Sequence, residues 1–232
     1  MSLGLRQREH VSLAFTLIQL LVVIALIAIV ALLSLPALTD ALNKREMTRT
    51  MNNARQLYLA GFHMATDGIA KSDANAAWPG DYAATNLAEY CSKLVQYDYL
   101  KIAELQQILS APGSICTVTS SAGPPLTMIL AGKSALKVYK ATRSDSSETI
   151  FAASSNYIYD TPLSPTAEPF RDNGFIVIRK SGDGGVYRKD RATPTGYGND
   201  PVRFQSELGK LPGAINGTVV PGDGATVLAG PQ

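Results

Sequence analysis

An unbroken apolar run from Leu20 to Leu33 constrains this chain more than any other feature, and with Thr16, Gln19, Ser34 and Pro36 as interruptions it extends from Phe15 to Leu38. As a helix, these 24 residues would be about 36 Å long at about 1.5 Å per residue, enough to cross a hydrocarbon core of about 30 Å. The first element is therefore predicted to span a membrane over 15–38. A secretory signal would carry a shorter apolar core, about 7 to 15 residues, before a small-residue cleavage site. Leu35 to Ala41 could serve as such a site, but the core ahead of it is too long, so the span is the preferred reading.

Past Leu38 the helical period continues. Leu38, Leu42, Met47, Met51, Ala54, Tyr58, Gly61, Phe62 and Ala65 recur mostly at three- and four-residue steps, with Lys44, Arg45, Arg49, Asn52, Arg55 and Gln56 between them. One long helix over 15–66 is predicted, apolar on all sides in its first half and amphipathic in its second. Asp67-Gly68 supplies the stop, Gly68 suiting a left-handed C-terminal conformation. Beyond it, Trp78-Pro79-Gly80 reads as a tight turn with Trp78 as an anchor. Thr85 or Asn86 caps a helix through Leu94, and a second short helix runs from Ile102 to Leu109. Strands follow at Ala135–Thr142, Thr149–Ala153, Phe175–Lys180 and Gly185–Lys189, the last two forming a hairpin around Ser181-Gly182-Asp183-Gly184. After Asp190 the chain is rich in Gly, Pro, Thr and Asn, with 219–227 either a small terminal hairpin or extended. The predicted class is α+β: a long N-terminal helix packed on an antiparallel sheet with short extra helices.

The residues at the start of the span carry a family resemblance. Ala14-Phe15-Thr16-Leu17-Ile18-Gln19-Leu20-Leu21-Val22-Val23-Ile24-Ala25 resembles the prepilin-type cleavage and methylation motif of type IV pilins and type II secretion pseudopilins. In that family a leader is cut just before a Phe, the new amine is methylated, and a Glu follows. Phe15 and Thr16 match; Ala14 replaces the usual Gly and Gln19 the usual Glu. Pro36 falls where many pilins have a helix proline. It either kinks the helix, having no amide hydrogen to give the preceding turn, or is tolerated at the lipid boundary. The resemblance implies a leader over 1–14 cleaved between Ala14 and Phe15 and helix-to-helix assembly through Thr16, Gln19 and Pro36. It also implies a pseudopilin-like extracytoplasmic domain over 67–232. The basic residues do not decide orientation, since Arg6 and Arg8 precede the span and Lys44, Arg45, Arg49 and Arg55 follow it. A cytoplasmic N-terminus follows from the resemblance and from the long polar region to be exported.

In an exported domain oxidation is allowed, so Cys91 and Cys116 are a candidate disulfide. It would close a loop of 26 residues and stabilise by about 3 to 4 kcal/mol on a chain-entropy estimate. The alternative is two buried thiols. These two cysteines and two histidines are too few for a zinc ribbon or finger. The serines lack a histidine partner, His10 lying in the leader and His63 on the long helix. Asp183-Gly184-Gly185 is no phosphate loop, since no Lys-Ser/Thr follows. Some major pseudopilins bind calcium through a C-terminal acidic loop, which makes Asp183, Asp190, Asp200 and Asp223 candidate ligands, each more simply read as a turn residue. With 21 Lys and Arg against 19 Asp and Glu, the net charge of +2 gives no electrostatic case for nucleic acid as the main partner, and none is expected.

The expected function is a noncatalytic structural subunit of a type II secretion pseudopilus or type IV pilus-like fibre in the bacterial inner membrane. Its expected partners are other pilin or pseudopilin subunits, a prepilin peptidase, the inner-membrane assembly platform and the lipid bilayer; no cofactor is expected. The contrasting expectation is a single-pass membrane-anchored extracytoplasmic binding protein.

Overall fold

The computed structural model describes residues 17–121, 123 and 125–231, and side chains throughout these except at 33–37. The chain divides into two units, Met1–Leu42 and Asn43–Gln232. Helix α1 runs from Leu17 to Lys71, the helical assignment passing through position 36 without a break. Among the described residues no helix is long and apolar enough to cross a membrane. Within the span read from sequence, 15–38, side chains are described at 17–32 and at 38, and those at 15–16 and 33–37 are not.

Within the second unit, the α1 side chains that bury are Met47, Thr50, Met51, Asn53, Ala54, Leu57, Tyr58, Ala60, Met64 and Ala65. They follow three- and four-residue steps and so form one stripe. Leu57 and Met64 belong to it although the predicted face omitted them, and Phe62 is 40% exposed on its edge. α1 ends three residues later than Gly68, at Lys71, and the left-handed residue is Ser72 (φ 57°). Gly68 is needed for another reason: a Cβ there would lie 1.7 Å from the Ala76 carbonyl oxygen, where the returning chain crosses the helix.

Two helices follow. α2 (Leu87–Gln96) is capped by Asn86, whose Oδ1 accepts from the Glu89 amide at 2.8 Å, while Glu89 Oε2 accepts from the Thr85 amide at 3.0 Å. α3 (Ile102–Ile108) starts where Glu104 Oε2 accepts from the Lys101 amide at 2.8 Å. Both match the predicted helices, because short-range capping chemistry specifies where a helix begins.

There are two antiparallel sheets. The smaller pairs β1 (Cys116–Ser120) with β2 (Met128–Gly132), Val118 facing Leu130. It was not among the predicted strands, although both of its strands alternate buried and exposed residues at their start. The larger sheet has the order β3 (Leu136–Val138), β4 (Ile150–Ser154), β5 (Phe175–Arg179), β6 (Gly184–Tyr187). β4 is buried along its whole length, and a register shift between Ile150 and Ala152 lets Phe151 and Ala152 join one core while Ile150 and Ala153 join the other.

The first core lies between the sheet and α1–α3. Tyr58 meets Phe151 edge-on at 5.6 Å between ring centroids, Trp78 meets Phe151 at 5.7 Å, and the Tyr58 hydroxyl donates to the Lys180 carbonyl at 2.9 Å. Trp78 is thus the anchor predicted for it. The β5–β6 turn closes with Gly182 at φ +84°, where a Cβ would stand 2.7 Å from the Tyr58 ring. Each large apolar side chain buried this way contributes about 1.5–3 kcal/mol.

The second core, on the other face, packs the stretch read as Gly- and Pro-rich and without a predicted helix against residues of the sheet such as Ile150, Ala153, Phe175 and Val177. Short 3-10 turns at Lys189–Arg191 and Pro194–Tyr197 lead into α4 (Pro201–Glu207). There Tyr197 and Phe204 pack with Tyr159, Tyr157 and Phe175. α4 carried a readable signal: Asp200 Oδ1 accepts from the Val202 and Arg203 amides at 2.9 and 3.1 Å, and Pro201 opens the helix. No terminal hairpin forms over 219–227. Gly224–Thr226 is a 3-10 turn, Val227 bridges Tyr139, the Leu228 amide donates to the Val138 carbonyl at 2.9 Å and the Lys140 amide to the Thr226 carbonyl at 2.6 Å. β3 is shorter than the predicted Ala135–Thr142, and Val138 to Lys140 pair with this C-terminal segment.

Candidate assembly surface

From Leu17 to Leu32 every large apolar side chain of α1 is exposed, from 79% at Leu17 to 41% at Val23. Successive residues on a helix are about 100° apart, so exposure at 20, 21, 22, 23 and 24 covers the whole circumference. A helix apolar on every side is stable only when lipid or other protein surrounds it. Leu26, Ile27, Val30 and Ala31 border a shallow apolar groove of about 350 Å³, the kind of space into which a ridge of another helix fits. Gln19 is exposed on the same stretch, and further along the chain Lys44, Arg45, Arg49 and Arg55 are exposed, Arg49 lying 4.0 Å from Glu46. Ala14, Phe15 and Thr16 lie outside the described residues, as does the Pro36 side chain.

The remaining sequence candidates fall elsewhere. Cys91 and Cys116 are both buried, each as a free cysteine. Burial pushes the Cys91 thiol far above its ordinary value, with the Cys116 thiol nearby adding to the effect. His63 is exposed on α1 with its ring edge-on to Phe62 at 6.0 Å. Ser154 Oγ accepts the Ile176 amide at 3.1 Å and Ser155 Oγ donates to the Ser134 carbonyl at 2.6 Å, so both hydroxyls are engaged with backbone.

The four aspartates considered for calcium are dispersed. Asp183 pairs with Arg179, Asp190 lies 3.9 Å from Arg191, and Asp200 caps α4. Asp223 already holds a cation: Lys137 Nζ sits 2.5 Å from its Oδ2 and also donates to the Tyr157 carbonyl. Its Oδ1 accepts from the Tyr139 hydroxyl at 2.8 Å and the Tyr159 amide at 3.2 Å. Burial lowers the Lys137 pKa, and the Asp223 carboxylate opposes that shift. Among the described residues no group of three or more His, Cys, Asp or Glu gathers to hold a metal ion. The Lys137–Asp223 pair escaped the sequence reading because 86 residues separate its partners and no local pattern links them.

A cleft of about 360 Å³ opens beside this pair, lined by Lys133, Ser134, Ser155, Thr166, Glu168 and Leu228 among others. Ser134 Oγ donates to the Leu136 carbonyl at 2.6 Å and Glu168 binds Arg171 at 2.9 Å, so much of its polar lining is engaged within the fold. The longest run of exposed large apolar side chains among the described residues is that of α1 from Leu17 to Leu32. No family model, no curated protein and no solved structure matches the chain.

Proposed function

We propose that the chain is a noncatalytic structural subunit of a type II secretion pseudopilus or a related type IV pilus-like fibre, assembled side by side with other copies or related subunits through the first stretch of α1. The observation that carries this reading is α1 itself. One continuous helix exposes apolar side chains all round from Leu17 to Leu32 and then, from Met47, lays a single stripe on a folded α+β body. Such a helix rests in a bilayer before assembly and among like helices afterwards, apolar surroundings serving both states. The prepilin-like residues Ala14 to Ala25 fit the same reading, with a prepilin peptidase cutting before Phe15 in the bacterial inner membrane and the second unit outside the cytoplasm.

N-terminal sequencing and intact mass of protein recovered from membranes of cells with an active prepilin peptidase test the proposal. The expected chain begins at Phe15 and carries a methylated amine. Recovery of chains beginning only at Met1 overturns it in favour of an uncleaved single-pass anchor bearing a binding domain. Gln19 adds a second expectation. It accepts a hydrogen bond from a neighbour's N-terminal amine but cannot neutralise its charge, and charge-assisted contacts are roughly twice as strong as neutral ones. Gln19→Glu is expected to raise incorporation into fibres at matched expression, marking the natural chain as a minor or specialised subunit; unchanged incorporation removes that assignment.

A further inference from the structure

The loop after α4 is held by one buried side chain. Gln205, 2% exposed, donates from Nε2 to the carbonyls of Ile215 at 3.2 Å and Thr218 at 2.9 Å, and its Oε1 accepts from the Gly217 amide at 2.7 Å. Inside this clamp lies an Asn–Gly step. Asn216 is exposed, and Lys210 Nζ donates to its Oδ1 at 2.6 Å.

We propose that Asn216 is a site of spontaneous, water-dependent deamidation, primed by Lys210 and gated by Gln205. In the reaction the Gly217 nitrogen gives up its hydrogen to a solvent base and bonds to Asn216 Cγ. The Cγ–Nδ2 bond breaks, ammonia leaves, and a succinimide ring remains. Water then opens the ring at either carbonyl, leaving aspartate or isoaspartate. Glycine suits the nucleophilic position because it has no Cβ to hinder the ring and permits the conformations the loop must visit. Lys210 polarises the Asn216 carbonyl and faces the negative charge that develops on Oδ1 as the nitrogen attacks, the stabilisation that a fixed donor gives an oxyanion. The nucleophile, by contrast, is held back: its hydrogen points to a buried amide oxygen rather than to a solvent base. The electrophile is ready and the chemistry waits on local opening of the loop. Once formed, the carboxylate lies beside the Lys210 ammonium, and isoaspartate lengthens the backbone so that the three bonds to Gln205 cannot all re-form. The modification therefore records how often the loop has opened.

A second Asn–Gly step serves as an internal reference. Asn173–Gly174 is exposed at the asparagine, and the Asn173 side chain donates to the Phe170 carbonyl at 3.0 Å, in a different loop with no tie to Gln205. The test incubates the purified full-length chain in detergent at mildly alkaline pH and follows amide-to-acid conversion at both asparagines by peptide mass mapping. Native Asn216 is expected to convert at least about tenfold more slowly than in the guanidinium-unfolded chain, because the rate follows the open fraction. Gln205→Ala is expected to bring Asn216 close to the unfolded rate while Asn173 keeps its native rate. Equal rates in native and unfolded wild type, or an unchanged Asn216 rate in a folded Gln205→Ala chain, overturn the proposal. If both asparagines accelerate, the variant has unfolded, and hydrogen exchange of the wild-type Gly217 amide decides: protection supports the gate and exchange at the unfolded rate refutes it.

Discussion

The two stretches of α1 share one helix and differ in what surrounds them. In Leu17–Leu32 the large apolar side chains are exposed on every side; in Met47–Ala65 those that bury form a single stripe against Phe151, Trp78 and the β5–β6 turn. The second stretch alternates apolar with polar residues and finds its covering within the chain. The first has no polar face to turn to water, and its large apolar side chains stay exposed. The difference teaches that helical propensity alone says little about role. The pattern of side chains around the circumference decides whether a helix completes a fold or awaits an assembly.

If the second stretch is ordered by the layers beneath it, the strongest way to release it is to damage their polar centre. Asp223→Ala leaves the Lys137 ammonium, whose side chain is 12% exposed, without its carboxylate, and is expected to lower unfolding free energy by about 3–5 kcal/mol in denaturant titrations. Gly68→Ala attacks the helix end directly. Its Cβ would collide with the Ala76 backbone at 1.7 Å, and an expected loss of about 1–3 kcal/mol follows from overpacking, read as a lower denaturant midpoint.

A gain is expected at Tyr90. Its hydroxyl is buried without a hydrogen-bond partner and presses on Gly61 of α1, where a Cβ would lie 2.1 Å away. Tyr90→Phe removes that unmet group and is expected to raise stability by about 1 kcal/mol, seen as a higher midpoint with an unchanged slope. The first stretch should behave in the opposite way. Replacing exposed Leu20 and Leu26 with Ala is expected to move the unfolding midpoint by no more than about 0.5 kcal/mol yet to reduce fibre incorporation; a large loss of stability would show that this stretch packs within its own chain.

The smallest effect is a pH dependence at the end of α1. The Tyr97 hydroxyl donates to Asp73 at 2.6 Å and holds its carboxyl below the usual carboxylate range. A carboxyl whose folded pKa is lowered contributes stability that is full above its unfolded pKa and is lost as pH falls through the folded one. The acid limb of the stability profile should therefore be shallower in Tyr97→Phe than in wild type, and identical profiles would assign this contact no share in acid sensitivity.

Much of the fold could be read from local chemistry. The Asn86 cap, the β5–β6 hairpin and the stripe from Met47 to Ala65 each rest on residues within a few positions of one another. β1–β2 and α4 were equally local, through the alternation at Cys116–Val118 and the Asp200-Pro201 start, and passed unread because richer turn chemistry surrounds both. The apolar run that makes the candidate assembly surface was legible in full as composition, since no folding is needed to see that Leu20 to Leu33 lacks a polar face.

Sequence by itself thus determined the elements whose causes are short-range: the helix starts, the glycine turn and the apolar stretch of α1. Only the tertiary structure decided what those elements meet. It placed Asp223 on Lys137, the C-terminal segment on the β3 edge, and a second core of Tyr157, Tyr159, Tyr197 and Phe204 behind the sheet. It buried both Cys91 and Cys116. The physical reason is range. Caps and turns are set by hydrogen bonds within a few residues, whereas burial and ion pairing depend on which distant segments close together, and the closing of such loops leaves no periodic mark in the chain.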